Sequence, residues 1–282
     1  MNLTRKFAAC LTAAAIMLTM LTVALAQDPD GVDVDYFKGV VRVTGEGVGK
    51  QDYKKNPGKY RLTAAKAARM DAQAKLVEYI GVQVETNASM TDYEIDTYKV
   101  KTSAQGIIRN AFEIEEPKYF EDGTCKVVME MRLYGGKGSI AEVAFLPFKD
   151  EPKVAFPQPV NTAVLNQPTI INNHYTGLII DCSSVDKAIN PVMSPVIKNS
   201  NGQPIYGHQN LDYDKIILEG MASYAATQAD CSRAGSNPLV VKAVSLADLD
   251  ANPVVSVEDA DKILAANQHD KFLENCAVVF KK

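Results

Sequence analysis

The clearest hydrophobic pattern lies between Asn56 and Gly81, where apolar residues recur at the spacing of an α-helix. Asn56 can cap this helix, and Pro57 fits its first turn, where a missing N–H costs nothing. Gly81 is placed to end the helix, and residues 82–86 then predict a short strand. One face collects mostly small side chains, which predicts close packing on a sheet: Ala65, Ala68, Ala72, Leu76, Tyr79 and Ile80.

Two other stretches of this half of the chain have the pattern of strands. Residues 39–44 are rich in valine, and residues 124–134 alternate apolar and polar positions with a period of two. The Asp122-Gly123 pair predicts a turn that joins residues 107–120 to the second of these strands. The pattern therefore predicts an α+β domain, in which the long helix covers a mostly antiparallel sheet.

The last third of the chain has a different pattern. Apolar runs at 177–181, 238–246, 254–255 and 277–280 predict strands, and residues 192–205 contain a further strand and an Asn201-Gly202 turn. Residues 212–229 and 257–267 predict helices. This mixture of strands and helices predicts a second, small mixed α/β domain. Residues 147–173 hold five prolines and little periodicity, so they predict a semi-rigid linker that separates the domains. A loop packed on one domain is the alternative.

The first 26 residues have the pattern of a signal peptide. Arg5 and Lys6 precede an apolar stretch at 11–23, and the small residues around Ala26 predict cleavage before Gln27. An uncleaved membrane anchor is the alternative. We therefore divide the chain into a signal peptide (1–26), an α+β domain (27–146), a linker (147–173) and an α/β domain (174–282). Export would place the protein in the periplasm or at the periphery of the outer membrane.

Export makes the cysteines informative, because disulfides persist in oxidising compartments. Four cysteines remain after cleavage, and they allow three full pairings: Cys125, Cys182, Cys231 and Cys276. Cys182 ends one apolar run and Cys276 begins another. A disulfide between these two is therefore the pairing that we single out.

Composition and motifs argue against several kinds of chemistry. The formal net charge of −4 argues against a general nucleic-acid binder. The three histidines lack metal-binding spacing, and the glycine-rich run before Lys50 lacks the pattern of a phosphate-binding loop. Asp181, His208 and Ser183 or Ser184 could form a triad on paper, but the motif of a nucleophile elbow is missing. We therefore expect no catalytic, cofactor-binding or metal-binding residues and no enzymatic activity.

Residues 39–144 resemble a known family in three stretches: VRVTGEG, LTAAKAARMDAQAKLVEYIGVQVET and GIIRNAFEIEEPKYFEDGTCKVVMEMRLYGGKGSIAE. They are similar to the lipoprotein-20-like family, which also resembles the N-terminal domain of flagellar assembly protein T. The pattern A-A-x-A-A-R-x-D-A-x-x-x-L from Ala64 to Leu76 carries most of the likeness. The family often has a lipid-anchoring cysteine at its mature N-terminus, whereas this chain has Ala26-Gln27.

The resemblance and the predicted export imply an envelope protein that works through protein–protein contacts. Such a protein could be a scaffold or assembly factor for flagellar or outer-membrane structures, with envelope or flagellar-assembly proteins as partners. Self-association and peripheral contact with a membrane remain open. The alternatives are a periplasmic small-ligand or peptide-binding protein, with its pocket in the second domain, and a hydrolase centred on Asp181 to Ser184.

Overall fold

We describe a computed structural model of the chain over residues 31–89, 97–167 and 172–282. The signal peptide (1–26) and its predicted cleavage site between Ala26 and Gln27 lie outside these residues. Within them, no helix combines the length and the apolar character that a bilayer-spanning helix needs.

The first domain is an antiparallel sheet with helices on one side. Its strands are β1 (Val32–Asp35), β2 (Val40–Val48), β3 (Phe112–Glu113), β4 (Lys118–Tyr119) and β5 (Thr124–Arg132). They lie in the order β1-β2-β5-β3, and β4 also pairs with β5. The helices are α1 (Pro57–Ser89), α2 (Thr97–Ile107) and α3 (Ile140–Ala144). The predicted α+β architecture is confirmed.

Helix α1 packs on the sheet through the predicted face. Ala68, Ala72, Leu76 and Ile80 have no solvent exposure. They meet the buried side of β2 and β5, to which Val127, Met129, Met131 and Leu133 contribute. Asn56 Oδ1 accepts a hydrogen bond from the N–H of Lys59, as its capping role predicts.

Two predicted boundaries in this domain are wrong. Helix α1 continues through Gly81 to Ser89, so residues 82–86 are helical and not a strand. A single glycine costs a helix only about 1 kcal/mol, which cooperative hydrogen bonding along a long helix can offset. The hairpin arm predicted at 107–120 is reduced to β3 and β4, because Pro117 between them has no N–H to donate to a ladder.

The second domain contains two four-stranded sheets. The first consists of parallel strands in the order β10-β6-β13-β9: β6 (Gly177–Asp181), β9 (Ser223–Ala225), β10 (Pro238–Lys242) and β13 (Val278–Lys281). The second is mixed, in the order β11-β12-β7-β8: β7 (Ile197–Asn199), β8 (Pro204–Tyr206), β11 (Ser245–Ala247) and β12 (Asn252–Val255). The helices are α4 (Tyr213–Glu219) and α5 (Val257–Asp270). The mixed α/β prediction is confirmed.

The helix predicted at 212–229 ends much earlier than expected. Gly220 stops α4 with a φ of +76°, and β9 begins three residues later. A Cβ atom at Gly220 would lie 2.9 Å from Cζ of Tyr134, so glycine also lets the two domains approach each other.

The proline-rich segment after Pro147 does not act as a spacer, so the predicted separation of the domains is wrong. The N–H of Val154 donates to the carbonyl of Gln209, and Phe156 stacks on Tyr206 with ring centroids 6.4 Å apart. Further along, the N–H groups of Val160 and Asn161 donate to Asp261 on α5. Residues 154–161 are therefore a loop packed on the second domain, which was the alternative; the domain boundaries remain a prediction.

Candidate functional site

The structure does not bring together the residues considered for a catalytic triad, Asp181, His208 and Ser183 or Ser184. The Asp181 carboxylate accepts hydrogen bonds from Oγ of Ser183 at 2.6 Å and from its N–H at 3.0 Å, and these bonds lower the pKa of Asp181. Nζ of Lys281 lies 3.4 Å from the same carboxylate. His208 is buried elsewhere, with its Nδ1 3.1 Å from Oη of Tyr213 and its ring against Phe145 and Phe148. Ser183 therefore contacts Asp181, whereas His208 contacts Tyr213, Phe145 and Phe148 instead of Ser183.

His174 makes a local contact with a carboxylate. Nδ1 of His174 lies 3.6 Å from the carboxylate of Asp270, whose other oxygen accepts the N–H of Tyr175. Across the residues that the structure describes, no group of three His, Cys, Asp or Glu side chains is placed to hold a metal ion.

The predicted disulfide between Cys182 and Cys276 is absent, since all four cysteines of the described ranges are free and buried. The parallel pairing of β6 with β13 gives the reason. Lys281 pairs with Asp181 and Val278 with Leu178, so this register places Cys276 level with Thr176, six residues from Cys182. That offset corresponds to roughly 20 Å, whereas a disulfide needs Cα atoms within about 7 Å. Cys182 follows β6 and Cys276 precedes β13, so the two residues lie at opposite ends of neighbouring parallel strands.

The sheet of the first domain has a second face, which α1 does not cover. We call this the open face; it consists of the outward side chains of β1, β2, β3 and β5. Arg42 lies at its centre, with Nη2 2.8 Å from Glu130 and Nη1 3.9 Å from Asp33. Phe112 is in register with Glu130 and is 52% exposed. The face thus combines an arginine held by carboxylates with an exposed aromatic ring, a composition typical of protein contact surfaces.

Sequence reasoning recognised only part of the open face. The alternation along residues 124–134 predicts a polar side, but no local signal shows that Arg42 and Phe112 lie on the same face of the sheet as Glu130. That arrangement depends on the registers of β2 and β3 with β5, which join residues far apart in the chain.

A groove of about 370 Å³ lies between the proline-rich segment and α5 in the second domain. Amide and charged side chains line it together with Phe156: Lys153, Gln158, Asn210, Asn267, Gln268, Lys271 and Glu274. Gln268 donates to Gln158 across the groove at 2.7 Å. Oε2 of Glu274 is buried and has no hydrogen-bond partner among the described residues. The lining of the groove therefore combines acidic, basic and amide side chains, a composition that suits a small polar ligand.

Comparison with known proteins concerns the second domain. The chain matches no curated protein. Residues 177–280, from the first residue of β6 to Phe280 in β13, match the family model of the second domain of Treponema pallidum Tp0624. The second domain is therefore similar to the second domain of that protein.

Proposed function

We propose that this protein is an exported, non-catalytic protein of the cell envelope that works through protein–protein contacts. The observation that carries the proposal is the open face. Arg42 is held by Glu130 and Asp33, so its planar guanidinium is preorganised for a partner, and Phe112 supplies an apolar anchor on the same face, on the other side of Glu130. The resemblance of residues 39–144 to the lipoprotein-20-like family supports an envelope role and a periplasmic or outer-membrane location.

Photo-crosslinking from the open face tests this proposal. A benzophenone amino acid replaces Phe112 in the protein expressed in its source cells, and the matched control carries it at Val240, which is 56% exposed in the second domain. We expect an adduct with an envelope protein, or with a second copy of this chain, from position 112 alone. The same adduct should be lost when Arg42→Ala is added.

Two results would overturn the proposal: equal crosslinking from both positions, or a complex that survives Arg42→Ala unchanged. Cell fractionation checks the location separately, because recovery in the cytoplasm would remove the envelope role. A motility assay of a deletion strain then distinguishes flagellar partners from other envelope partners.

The groove of the second domain favours a second candidate function, the binding of a small polar ligand or peptide. Its support is the pair of Lys271 and Glu274 in the groove lining, where Nζ of Lys271 lies 3.6 Å from Oε1 of Glu274. Native mass spectrometry of protein purified from its source should then show a retained ligand. Lys271→Ala should release the ligand, while the exposed and distant Lys137→Ala should keep it. If every preparation contained only protein without a bound ligand, this function would be wrong.

A further inference from the structure

One end of the first domain carries a strong positive charge, although the whole chain has a formal net charge of −4. We call this the basic end: residues 50–66 and the hairpin tip at 118–126. Residues 50–66 contain six basic side chains against the single acidic Asp52, which gives 6 − 1 = +5. All six are exposed: Lys50, Lys54, Lys55, Lys59, Arg61 and Lys66.

Most of this charge is not neutralised by neighbouring carboxylates. Of the six, Lys50, Lys54, Lys55 and Lys66 form no ion pair with any residue in the described ranges. The hairpin tip adds Lys118 and Lys126, which are balanced by Glu121 and Asp122. The basic end therefore presents a net positive surface to solvent.

Tyr60 holds the loop, the helix and the hairpin tip together at this end. A Cβ atom at Gly49 would lie 2.6 Å from the Tyr60 ring, and one at Gly123 would lie 2.5 Å from its Oη. A groove of about 350 Å³ lies beside Tyr60, lined by Arg61, Tyr119 and Phe120. The cationic helix start and the hairpin tip thus form one continuous surface.

Apolar side chains are exposed on the same surface. Tyr119 is 42% exposed and Phe120 47%. Cations cover the faces of both rings, because Cζ of Arg61 lies 5.4 Å from the Tyr119 centroid and Nζ of Lys126 lies 5.8 Å from that of Phe120. Aromatic rings set among lysine and arginine are typical of surfaces that rest at a membrane–water interface.

We propose that the basic end binds peripherally to a membrane surface rich in anionic lipid headgroups. The unpaired lysines provide charge complementarity to the headgroups, and Tyr119 and Phe120 provide the apolar contact. A nucleic acid fits less well, because single-stranded binders stack bases on free ring faces. Here a cation already lies over one face of each ring. The surface meets the open face at Lys126, four residues along β5 from Glu130, so the substitutions that test membrane binding leave Arg42 and Phe112 unchanged.

Vesicle co-sedimentation tests this inference with the protein in the form that its source cells produce. The vesicles are phosphatidylcholine alone or an equimolar mixture with phosphatidylglycerol, each at low and high salt. We expect binding only to the anionic vesicles, weakened by salt. The variant Lys54→Glu/Lys55→Glu should lower partitioning at least about tenfold, since each lysine near the surface contributes to binding. Tyr119→Ser/Phe120→Ser should lower it several-fold at unchanged charge.

The matched control is Lys137→Glu/Lys242→Glu, which changes the net charge equally at exposed positions outside the basic end. It should bind like the unaltered protein, and circular dichroism should show that every variant is folded. Equal loss in the control would overturn the proposal in favour of a general charge effect. Undiminished binding of both basic-end variants would place membrane attachment elsewhere. Complete competition by polyglutamate or an oligonucleotide, with no effect of the aromatic substitutions, would assign the surface to an acidic macromolecule instead.

Discussion

Gly45 and Gly47 of β2 leave the space that lets α1 lie directly on the sheet. A Cβ atom at Gly45 would lie 2.1 Å from the carbonyl oxygen of Ala68, and one at Gly47 would lie 2.3 Å from the nitrogen of Ala68. Neither glycine has a positive φ, so space and not backbone conformation requires glycine here. The glycines opposite the alanine face of α1 set the distance between helix and sheet.

Substitution of these glycines should therefore destabilise the first domain. We expect Gly45→Ala to lower the free energy of unfolding by at least the ~1–3 kcal/mol typical of overpacking, because backbone atoms of α1 must move. Gly81→Ala is the matched control, since nothing lies within 4 Å of its Cβ position. It should raise the free energy of unfolding by about 0.5–1 kcal/mol through better helix propensity. Urea unfolding measures both, and an unaffected Gly45→Ala variant would contradict the close packing.

The buried thiols give a second prediction at this scale. Burial raises the pKa of Cys182 to about 12, so its thiol stays protonated and unreactive at neutral pH. We expect iodoacetamide to label none of the four buried cysteines in the native protein and all four in urea without a reductant. Mass spectrometry measures the labels. Two unlabelled cysteines that become reactive only after reduction would show a disulfide.

At the scale of elements, Asp261 fastens the proline-rich segment to α5. Its carboxylate accepts the N–H groups of Val160 at 2.6 Å and Asn161 at 2.9 Å, and Asp261 is only 4% exposed. These bonds position one wall of the groove, since the same segment supplies Phe156 and Gln158. A carboxylate on a helix thus fixes a stretch that has little regular structure of its own.

Removal of this carboxylate should release the segment. We expect Asp261→Ala to lower the free energy of unfolding by about 1.5–3 kcal/mol, because hydrogen bonds to a charged group are lost. Limited proteolysis should then cut within residues 153–161 of the variant. Glu258→Gln alters an exposed carboxylate on the same helix and should leave the cleavage pattern unchanged. Equal protease resistance of Asp261→Ala and the unaltered protein would mean that other contacts hold the segment.

At the scale of the whole molecule, a tyrosine cluster joins the two domains. Tyr36 and Tyr224 meet edge to face with ring centroids 5.8 Å apart, and Oη of Tyr134 lies 3.5 Å from the carbonyl of Met193. The N–H of Gly136 also donates to the carbonyl of Ile217 at 3.1 Å. Burial raises the pKa of Tyr36, Tyr134 and Tyr224 above the ordinary value. The contact between the domains therefore requires neutral tyrosines.

Alkaline pH should weaken this contact. The unfolded chain loses its tyrosine protons near pH 10, whereas the folded protein holds them to higher pH. The free energy of unfolding should thus be unaffected by these groups below about pH 10. Above about pH 10, the free energy of unfolding should fall by up to about 1.4 kcal/mol per pH unit for each buried tyrosine.

Urea unfolding between neutral and alkaline pH measures this slope. Tyr134→Phe should make the slope shallower, and Tyr119→Phe, at an exposed ring, should not change it. The same slope in both variants would argue against a buried cluster.

The sequence by itself determined the elements that depend on residues close together in the chain. The alanine face of α1, the alternation along β5, the Asp122-Gly123 turn and the start of α5 follow from periodicity and capping, which depend on residues a few positions apart. Only the tertiary structure decided the rest. The β6–β13 register keeps Cys182 from Cys276, and Asp261 holds a segment about a hundred residues away along the chain. Arg42 and Phe112 share the open face because β2 and β3 both pair with β5. These outcomes depend on pairing and burial between distant stretches, which no local pattern encodes.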